Sequence, residues 1–150
     1  MAGVETLTIA LEIGSRMDQV RLVRAALTGV LDHLRVAESD IIALELAVTE
    51  IVNNAVEHGY EGAEDQRIKV RVEVRGSLVE VVVTDHAHPF PEAERYRLIQ
   101  PLEPLEEADE NWSARGHGLQ IVRQIVDSLS LECSETENTL RLQKTVALRD

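Results

Sequence analysis

The sequence has few of the residues that crosslink small secreted domains. Cys133 is its only cysteine, so no disulfide forms within the chain, and we expect a cytoplasmic protein. Aromatic residues make up 3% of the 150 residues, so aliphatic side chains must build the core. No apolar run approaches the length of a membrane span, and the N-terminus lacks the basic segment and apolar stretch of a signal peptide.

Positive charge is also scarce. Lys and Arg number 15 against 27 Asp and Glu, which gives a formal net charge of −12. A chain this acidic is not expected to bind nucleic acid or an anionic membrane surface through its overall charge. Any phosphate that it binds must be held by a local site of backbone amides, a helix terminus or a metal ion.

The apolar residues, 44% of the chain, suffice for the core of a single domain over residues 1–150. Their periodicity predicts the order strand, helix, helix, strand, strand, long loop, helix, strand, strand. This order favours an α/β (α+β) two-layer sandwich, with helices on one face of a mixed, mostly antiparallel sheet. The predicted elements are a strand at 7–13, helices at 15–34 and 39–58, a hairpin at 67–85, a helix at 117–129, and strands at 129–135 and 139–148.

Two local signals predict helix termini. Ser15, with Asp18 three residues later, is typical of a helix start. Gly59 follows the second predicted helix and suits a C-terminal residue with positive φ.

A long irregular segment is predicted at 86–114, and it holds all four prolines. Loops of this length in a compact domain are usually functional. Its acidic run, 103–110, suits a solvated surface better than a contact for a basic partner.

The segment "TEIVNNAVEHGY" places polar residues on an otherwise apolar helix. Glu50, Asn54 and His58 are four residues apart and would form one row, whereas Asn53 and Glu57 lie off it and should be solvated or locally bonded. A carboxylate in this row can take a proton from an attacking hydroxyl, and an amide oxygen can bind Mg²⁺. Taken alone, the stretch is more typical of a polar, solvated helix face than of such a site.

Two further motifs carry candidate chemistry. Asp85 ends the apolar strand of "VVVTDHAHPF", where a carboxylate can accept a hydrogen bond from an exocyclic amine or simply form a turn. In "RGHGLQIV", Gly116 and Gly118 are predicted immediately before a helix. There they would let backbone N–H groups approach an anion, although a plain glycine-rich helix start has the same pattern.

In this order, the three motifs resemble the GHKL ATPase superfamily, which includes gyrase, heat-shock chaperones, histidine kinases and MutL. They look most like the anti-sigma factor serine-protein kinases of bacterial partner-switching systems. The resemblance covers about residues 7–144. It implies Mg-ATP as cofactor, a STAS-type antagonist protein as the substrate phosphorylated on serine, a sigma factor as a second partner, and a homodimer.

The resemblance also implies roles for single residues. Glu50 matches the general base, Asn54 the Mg²⁺ ligand, and His58 a further polar residue near the nucleotide. Asp85 matches the acid that reads adenine, and the segment at about 86–115 matches the lid over ATP. The phosphate-binding turn would comprise Gly116, His117, Gly118 and Leu119.

Three positions leave questions open. Ala87 stands where the family usually has the glycine of Asp-x-Gly. Its methyl group should narrow the space beneath the adenine ring and restrict φ at this position. We therefore expect ATP to bind, but more weakly. Thr139 is a possible second adenine contact whose register is ambiguous. Arg115 either neutralises the terminal phosphate or is an exposed surface residue.

Other functions are weighed against the kinase. A non-catalytic nucleotide-binding module that sequesters a partner is the main alternative. The catalytic domain of a histidine kinase is less expected, because none of the five histidines lies in a plausible dimerisation helix ahead of the domain. His86, His88 and His117 could indicate a metal site, but no Cys pair or His-Glu-x-x-His motif supports zinc. A basic outer face at Arg16, Arg21 and Arg24 is a candidate docking surface for a partner.

Overall fold

The computed structural model of the chain describes residues 3–100 and 114–150. Its strands form one sheet in the order β1-β2-β3-β5-β4. The strands are β1 (Thr6–Gly14), β2 (Arg67–Arg75), β3 (Leu78–Asp85), β4 (Ser128–Cys133) and β5 (Asn138–Thr145). The helices are α1 (Met17–His33), α2 (Glu38–Asn54), α3 (Glu92–Ile99) and α4 (Ala114–Ile125), and a π-helical turn (Ala55–Gly59) continues α2.

The predicted two-layer architecture is confirmed. Each pair of neighbouring strands in the described residues is antiparallel, so the sheet is not mixed. The connections explain this difference. Two of the four pairs, β2–β3 and β4–β5, are hairpins, whose strands are necessarily antiparallel, and β5 rather than β4 lies beside β3. Within the described ranges, no helix combines the length and apolar character needed to cross a bilayer.

Helix α2 is the central helix of the second layer. It packs against α1 on one side and α4 on the other, and it contacts β3 below. Leu44 and Ile51 of α2 are 0% and 1% exposed. Burial of each such side chain stabilises the fold by about 1.5–3 kcal/mol. The core contacts therefore hold α2, and the polar residues on its remaining face, in one position.

The helices begin and end close to the predicted positions, but neither predicted terminal residue has its predicted role. Helix α1 begins at Met17, with Arg16 at the N-cap and no side-chain cap. Ser15 is buried and instead donates a hydrogen bond to the Ala63 carbonyl while accepting one from the Gln66 N–H at 3.1 Å. Because this serine ties the end of β1 to the chain entering β2, its hydroxyl is not available to the helix.

The C-terminal end of α2 widens instead of stopping at a left-handed glycine. The Tyr60 N–H donates to the Ala55 carbonyl at 2.9 Å, five residues back, which defines the π-helical turn. Gly59 lies inside this turn without a positive φ, and positive φ values occur later, at Glu61 (52°) and Gly62 (81°). The chain therefore reverses two residues after the predicted point.

The predicted irregular segment 86–114 contains a helix, α3. Leu98 is its one buried residue, so α3 has no apolar stripe that the sequence could reveal. Arg123 of α4 holds its C-terminal end by donating to the carbonyls of Arg97 at 3.0 Å and Gln100 at 2.6 Å. Helix α4 begins at Ala114, three residues before the predicted start. The acidic run 103–110 lies outside the described residues.

Ala87 fits its place because of Gly59. A Cβ atom on Gly59 would lie 3.0 Å from the Cβ of Ala87, which is tighter than ordinary van der Waals contact. Ala87 does not have a positive φ, so the expected restriction of its backbone is not a cost here. The methyl group at 87 thus occupies space that the missing side chain at 59 leaves free.

We expect Gly59→Ala to lower the free energy of unfolding by about 1–3 kcal/mol, because the added methyl overpacks against Ala87. Ala87→Gly should relieve this loss, so the double mutant should show a coupling energy of about 0.5–3 kcal/mol. Urea denaturation of the four proteins measures the cycle. Gly29→Ala is the control, because no atom lies within 4 Å of its added Cβ. Additive effects of the two substitutions would show that the methyl groups do not meet.

Candidate functional site

The site residues gather at one end of the sheet. Asp85 ends β3 and Asn138 begins β5, and these two residues are directly paired. The π-helical turn at the end of α2 packs against the loop after β3 through Gly59 and Ala87. Glu50 and Asn54, near the C-terminal end of α2, are both half-buried. The fold therefore brings the motifs of α2 and β3 to the same edge.

Glu50 contacts the backbone of α4. A Cβ atom on Gly118 would lie 2.6 Å from Glu50 Oε2, closer than real Cβ contacts allow. The carboxylate therefore occupies the space beside α4 that only a glycine leaves open. The sequence motif predicted a phosphate-binding role for Gly118. Its proximity to Glu50 could not be predicted, because α2 and α4 are far apart in the chain.

The two glycines lie within α4, not before it. Because α4 starts at Ala114, Gly116 belongs to the first turn, where N–H groups lack partners within the helix. Gly118 is one residue beyond these positions. A glycine costs a helix about 1 kcal/mol relative to alanine, and burial of Leu119 and Val122, 2% and 0% exposed, outweighs this cost. The amides available to an anion are thus fewer than predicted.

Of the other residues of the "RGHGLQIV" motif, Leu119 lies in the core, whereas the side chains of two residues are outside the part that the structure describes. Leu119 packs in the core with its side chain away from solvent. The backbones of Arg115 and His117 belong to α4, while their side chains lie outside the described residues. The roles proposed for these two side chains remain predictions.

The carboxylate of Asp85 uses its two oxygens differently. The residue is 3% exposed. Oδ1 accepts hydrogen bonds from the Ala87 N–H and from Asn138 Nδ2, both at 2.9 Å. Within residues 3–100 and 114–150, no donor reaches Oδ2. Asp85 thus forms the predicted turn through Oδ1, whereas Oδ2 remains available to accept a hydrogen bond from a ligand.

Asn138, not Thr139, is the residue of β5 at this edge. Thr139 pairs with Thr84 and lies on the opposite face of the sheet, where its hydroxyl donates to Glu137 Oε1 at 3.3 Å. Asn138 is 1% exposed and faces Asp85. A shift of one residue along a strand changes the face of every side chain. The structure therefore does not bring Thr139 to the site, and Asn138, which was not predicted as a site residue, lies there instead.

Tyr60 fixes the loop that follows Asp85. Its hydroxyl accepts the His86 N–H at 2.7 Å and donates to the Arg67 carbonyl at 2.8 Å. Burial raises the pKa of the Tyr60 hydroxyl, so it stays protonated and keeps its donor role. His58, in the π-helical turn, is half-buried. The loop and the π-helical turn are thus tied together by a side chain as well as by packing.

The histidines of the loop line a cavity of about 510 Å³ together with Tyr60, Glu61 and Glu135. The ring of His86 hydrogen-bonds to the Thr136 carbonyl at 3.0 Å. In the described part of the chain, no three His, Cys, Asp or Glu side chains are grouped so that they could hold a metal ion.

Asn53 differs from its neighbours in an unexpected way. We expected it to be solvated or locally bonded, yet its Oδ1 is buried and has no hydrogen-bond partner among the described residues. Glu57 is exposed, as expected. Burial of an unpaired amide oxygen costs about 1–3 kcal/mol, and nothing in the described contacts of Asn53 explains it.

Comparison with known proteins identifies the family. Residues 13–144 match the family described as histidine kinase-like ATPase domain. The serine-protein kinase RsbW of Listeria innocua is 30% identical over 127 residues, which cover 85% of this chain and 80% of that protein. RsbW of Bacillus velezensis is 28% identical over 124 residues, 83% of this chain and 77% of that protein.

Solved structures support the same fold. The RsbU and RsbW domains of Rv1364c from Mycobacterium tuberculosis match with a TM-score of 0.67 and 21% identity over 93% of this chain, which spans 32% of that longer chain. The SiaB-SiaC complex from Pseudomonas aeruginosa matches with a TM-score of 0.62 and 13% identity, covering 89% and 88% of the two chains. The chain therefore belongs to the histidine kinase-like ATPase (GHKL) family, within its RsbW group of serine-protein kinases.

Proposed function

We propose that this chain is an ATP-dependent serine-protein kinase of a bacterial partner-switching system. It transfers phosphate to a serine of a STAS-type antagonist protein and acts as an anti-sigma factor or an equivalent regulator, in the cytoplasm. The observation that carries the proposal is the placement of Glu50 against Gly118, with Asn54 one turn further along the same helix. The RsbW relatives named serine-protein kinases support it.

The residues present fit an adenine nucleotide. Asp85 Oδ2, which has no donor among the described residues, suits the exocyclic amine of the base. Gly116 offers a backbone N–H in the first turn of α4, where the helix dipole also favours a phosphate. When bound, ATP supplies the phosphoryl group.

The donor set also fits Mg²⁺ that binds together with a nucleotide. Asn54 would contribute one hard oxygen, and the described residues provide no group of three His, Cys, Asp or Glu ligands for a purely protein-bound ion. Mg²⁺ commonly takes one or two protein ligands and completes its shell with phosphate oxygens and water. In this site it would offset the charge of the phosphates.

Glu50 is the proton acceptor in the proposed reaction. Its carboxylate orients the hydroxyl of the substrate serine and takes its proton as phosphate is transferred. The contact with Gly118 and the buried anchor residues of α2 hold this carboxylate in place before substrate arrives. Such preorganisation matters because a misplacement of about 1 Å can cost on the order of 10²-fold in rate.

The main rival is a non-catalytic module that binds a sigma factor or another partner while holding nucleotide. Ala87 in place of the family glycine favours this rival, and the pair of Glu50 and Asn54 argues against it. The sigma factor and the homodimer rest on the family resemblance. On the candidate docking surface, Arg16 pairs with Asp18 and Arg24 with Glu45, and Arg21 is exposed.

We expect Glu50→Gln to slow phosphate transfer by about 10²–10⁴-fold while ATP affinity stays near that of the wild type, because only the proton acceptor is lost. Incubation with Mg-ATP and a cognate antagonist, followed by intact mass measurement of phosphoserine, gives the rate. Glu57→Gln is the matched control, since Glu57 is exposed in the neighbouring turn. Normal transfer by Glu50→Gln would remove Glu50 from catalysis, and a wild type that binds the antagonist without modifying it would favour the rival.

We expect Gly118→Ala to impair transfer without unfolding the protein. The new methyl group would displace the end of the flexible Glu50 side chain, while alanine favours the helix by about 1 kcal/mol. Transfer should fall at least about tenfold, and ATP affinity should change little because Gly118 lies beyond the partner-free N–H groups of the first turn of α4. Transfer rate, ATP affinity by calorimetry and melting temperature separate these effects. A parallel loss of ATP affinity and transfer would show that Gly118 acts through the nucleotide and not through Glu50.

A further inference from the structure

Asn138 ties three parts of the site together. It is the first residue of β5, it is 1% exposed, and it pairs with Asp85. Its Nδ2 atom lies 2.9 Å from Asp85 Oδ1, 3.0 Å from the His88 carbonyl oxygen and 3.3 Å from the Ala87 carbonyl oxygen. An amide nitrogen carries two hydrogens, so three acceptors saturate it.

The other half of the same amide is unsatisfied. Asn138 Oδ1 is buried and has no hydrogen-bond partner in the described part of the chain. Such an acceptor costs about 1–3 kcal/mol, a cost that an aliphatic residue would not incur. The opposite orientation of the amide is excluded, because it would place Oδ1 against three other acceptors. The donor contacts are thus retained at the expense of stability.

These contacts make the two oxygens of Asp85 unequal. Oδ1 receives both the Asn138 amide and the Ala87 N–H, so rotation of the carboxylate would break two hydrogen bonds to a buried charged group. Oδ2 is left as the acceptor that faces no donor of the described chain. The Asn138 amide also holds the carbonyls of Ala87 and His88, which fixes the loop beside this oxygen.

We propose that Asn138 is a positioning residue for base recognition. By saturating Asp85 Oδ1 and holding the loop at 87–88, it orients the carboxylate so that Oδ2 alone meets the exocyclic amine of a 6-aminopurine nucleotide. The inference rests on the nucleotide site of the proposed function and is independent of phosphate transfer.

Comparison of two nucleotides tests the proposal. Affinities for ATP and for purine riboside 5′-triphosphate, which lacks the 6-amino group, are measured by calorimetry without any antagonist protein. The wild type should prefer ATP by about tenfold or more, as expected for a hydrogen bond to a charged group. In Asn138→Ala, ATP affinity should fall about tenfold, affinity for the analogue should change little, and the ratio should approach one.

Thr139→Ala is the matched control, because the neighbouring side chain lies on the opposite face, and its ratio should equal that of the wild type. A general structural role for Asn138 would instead weaken both nucleotides equally. An unchanged ratio in Asn138→Ala, with or without a loss of affinity, would therefore overturn the proposal.

The measurement remains decisive if Asn138→Ala is poorly folded. Asn138→Ser keeps one hydroxyl donor and should give an intermediate ratio, and a ratio equal to that of the wild type in this variant would count against the proposal. A wild-type protein that prefers ATP but never phosphorylates the antagonist would contradict only the proposed kinase activity and not the role of Asn138. Equal wild-type affinities for the two nucleotides would remove the role of Asn138.

Discussion

The burial of α2 between α1 and α4 is the packing on which the site depends. Leu44 and Ile51 fix the helix against the sheet, and the contacts with both neighbours leave one edge of α2 for polar residues. Glu50 lies on that edge and contacts α4. Glu50 is half-buried and has no hydrogen bond to the described residues, so the close packing of α2 fixes its backbone and thereby limits the region that its carboxylate can reach. The core therefore determines where the carboxylate lies that we propose as the proton acceptor.

The second constraint acts at the ends of the central strands. A buried carboxylate must be hydrogen-bonded, and Asp85 meets this need with one oxygen through the Ala87 N–H and Asn138. Satisfaction of one oxygen also determines the direction of the other. The same contacts that satisfy Asp85 in the core leave Oδ2 without a donor from the described residues, and the proposed recognition of a base rests on this.

The sequence predicted those features that local patterns determine. Strand β2 alternates between apolar and polar residues without interruption, so its two faces were evident from the sequence, whereas α3 buries only Leu98 and has no period to detect. The start of α4 was misplaced because packing of its apolar face overrides the low helix propensity of glycine. Because a polar turn precedes β5, the sequence did not fix the register of this strand to within one residue. That one residue determines whether Asn138 or Thr139 faces the site.

Two glycines matter here because they have no side chain, and not because of their backbone conformation, since neither has a positive φ. Gly59 makes room for the methyl group of Ala87, and Gly118 makes room for the carboxylate of Glu50. The departure from the family Asp-x-Gly pattern is therefore accommodated by a residue 28 positions earlier in the chain. Taken separately, the motifs indicate that the family glycine is absent at position 87 and that Gly118 belongs to a phosphate-binding turn. In three dimensions, each glycine instead determines where a side chain of another motif can lie, so the motifs depend on one another sterically as well as chemically.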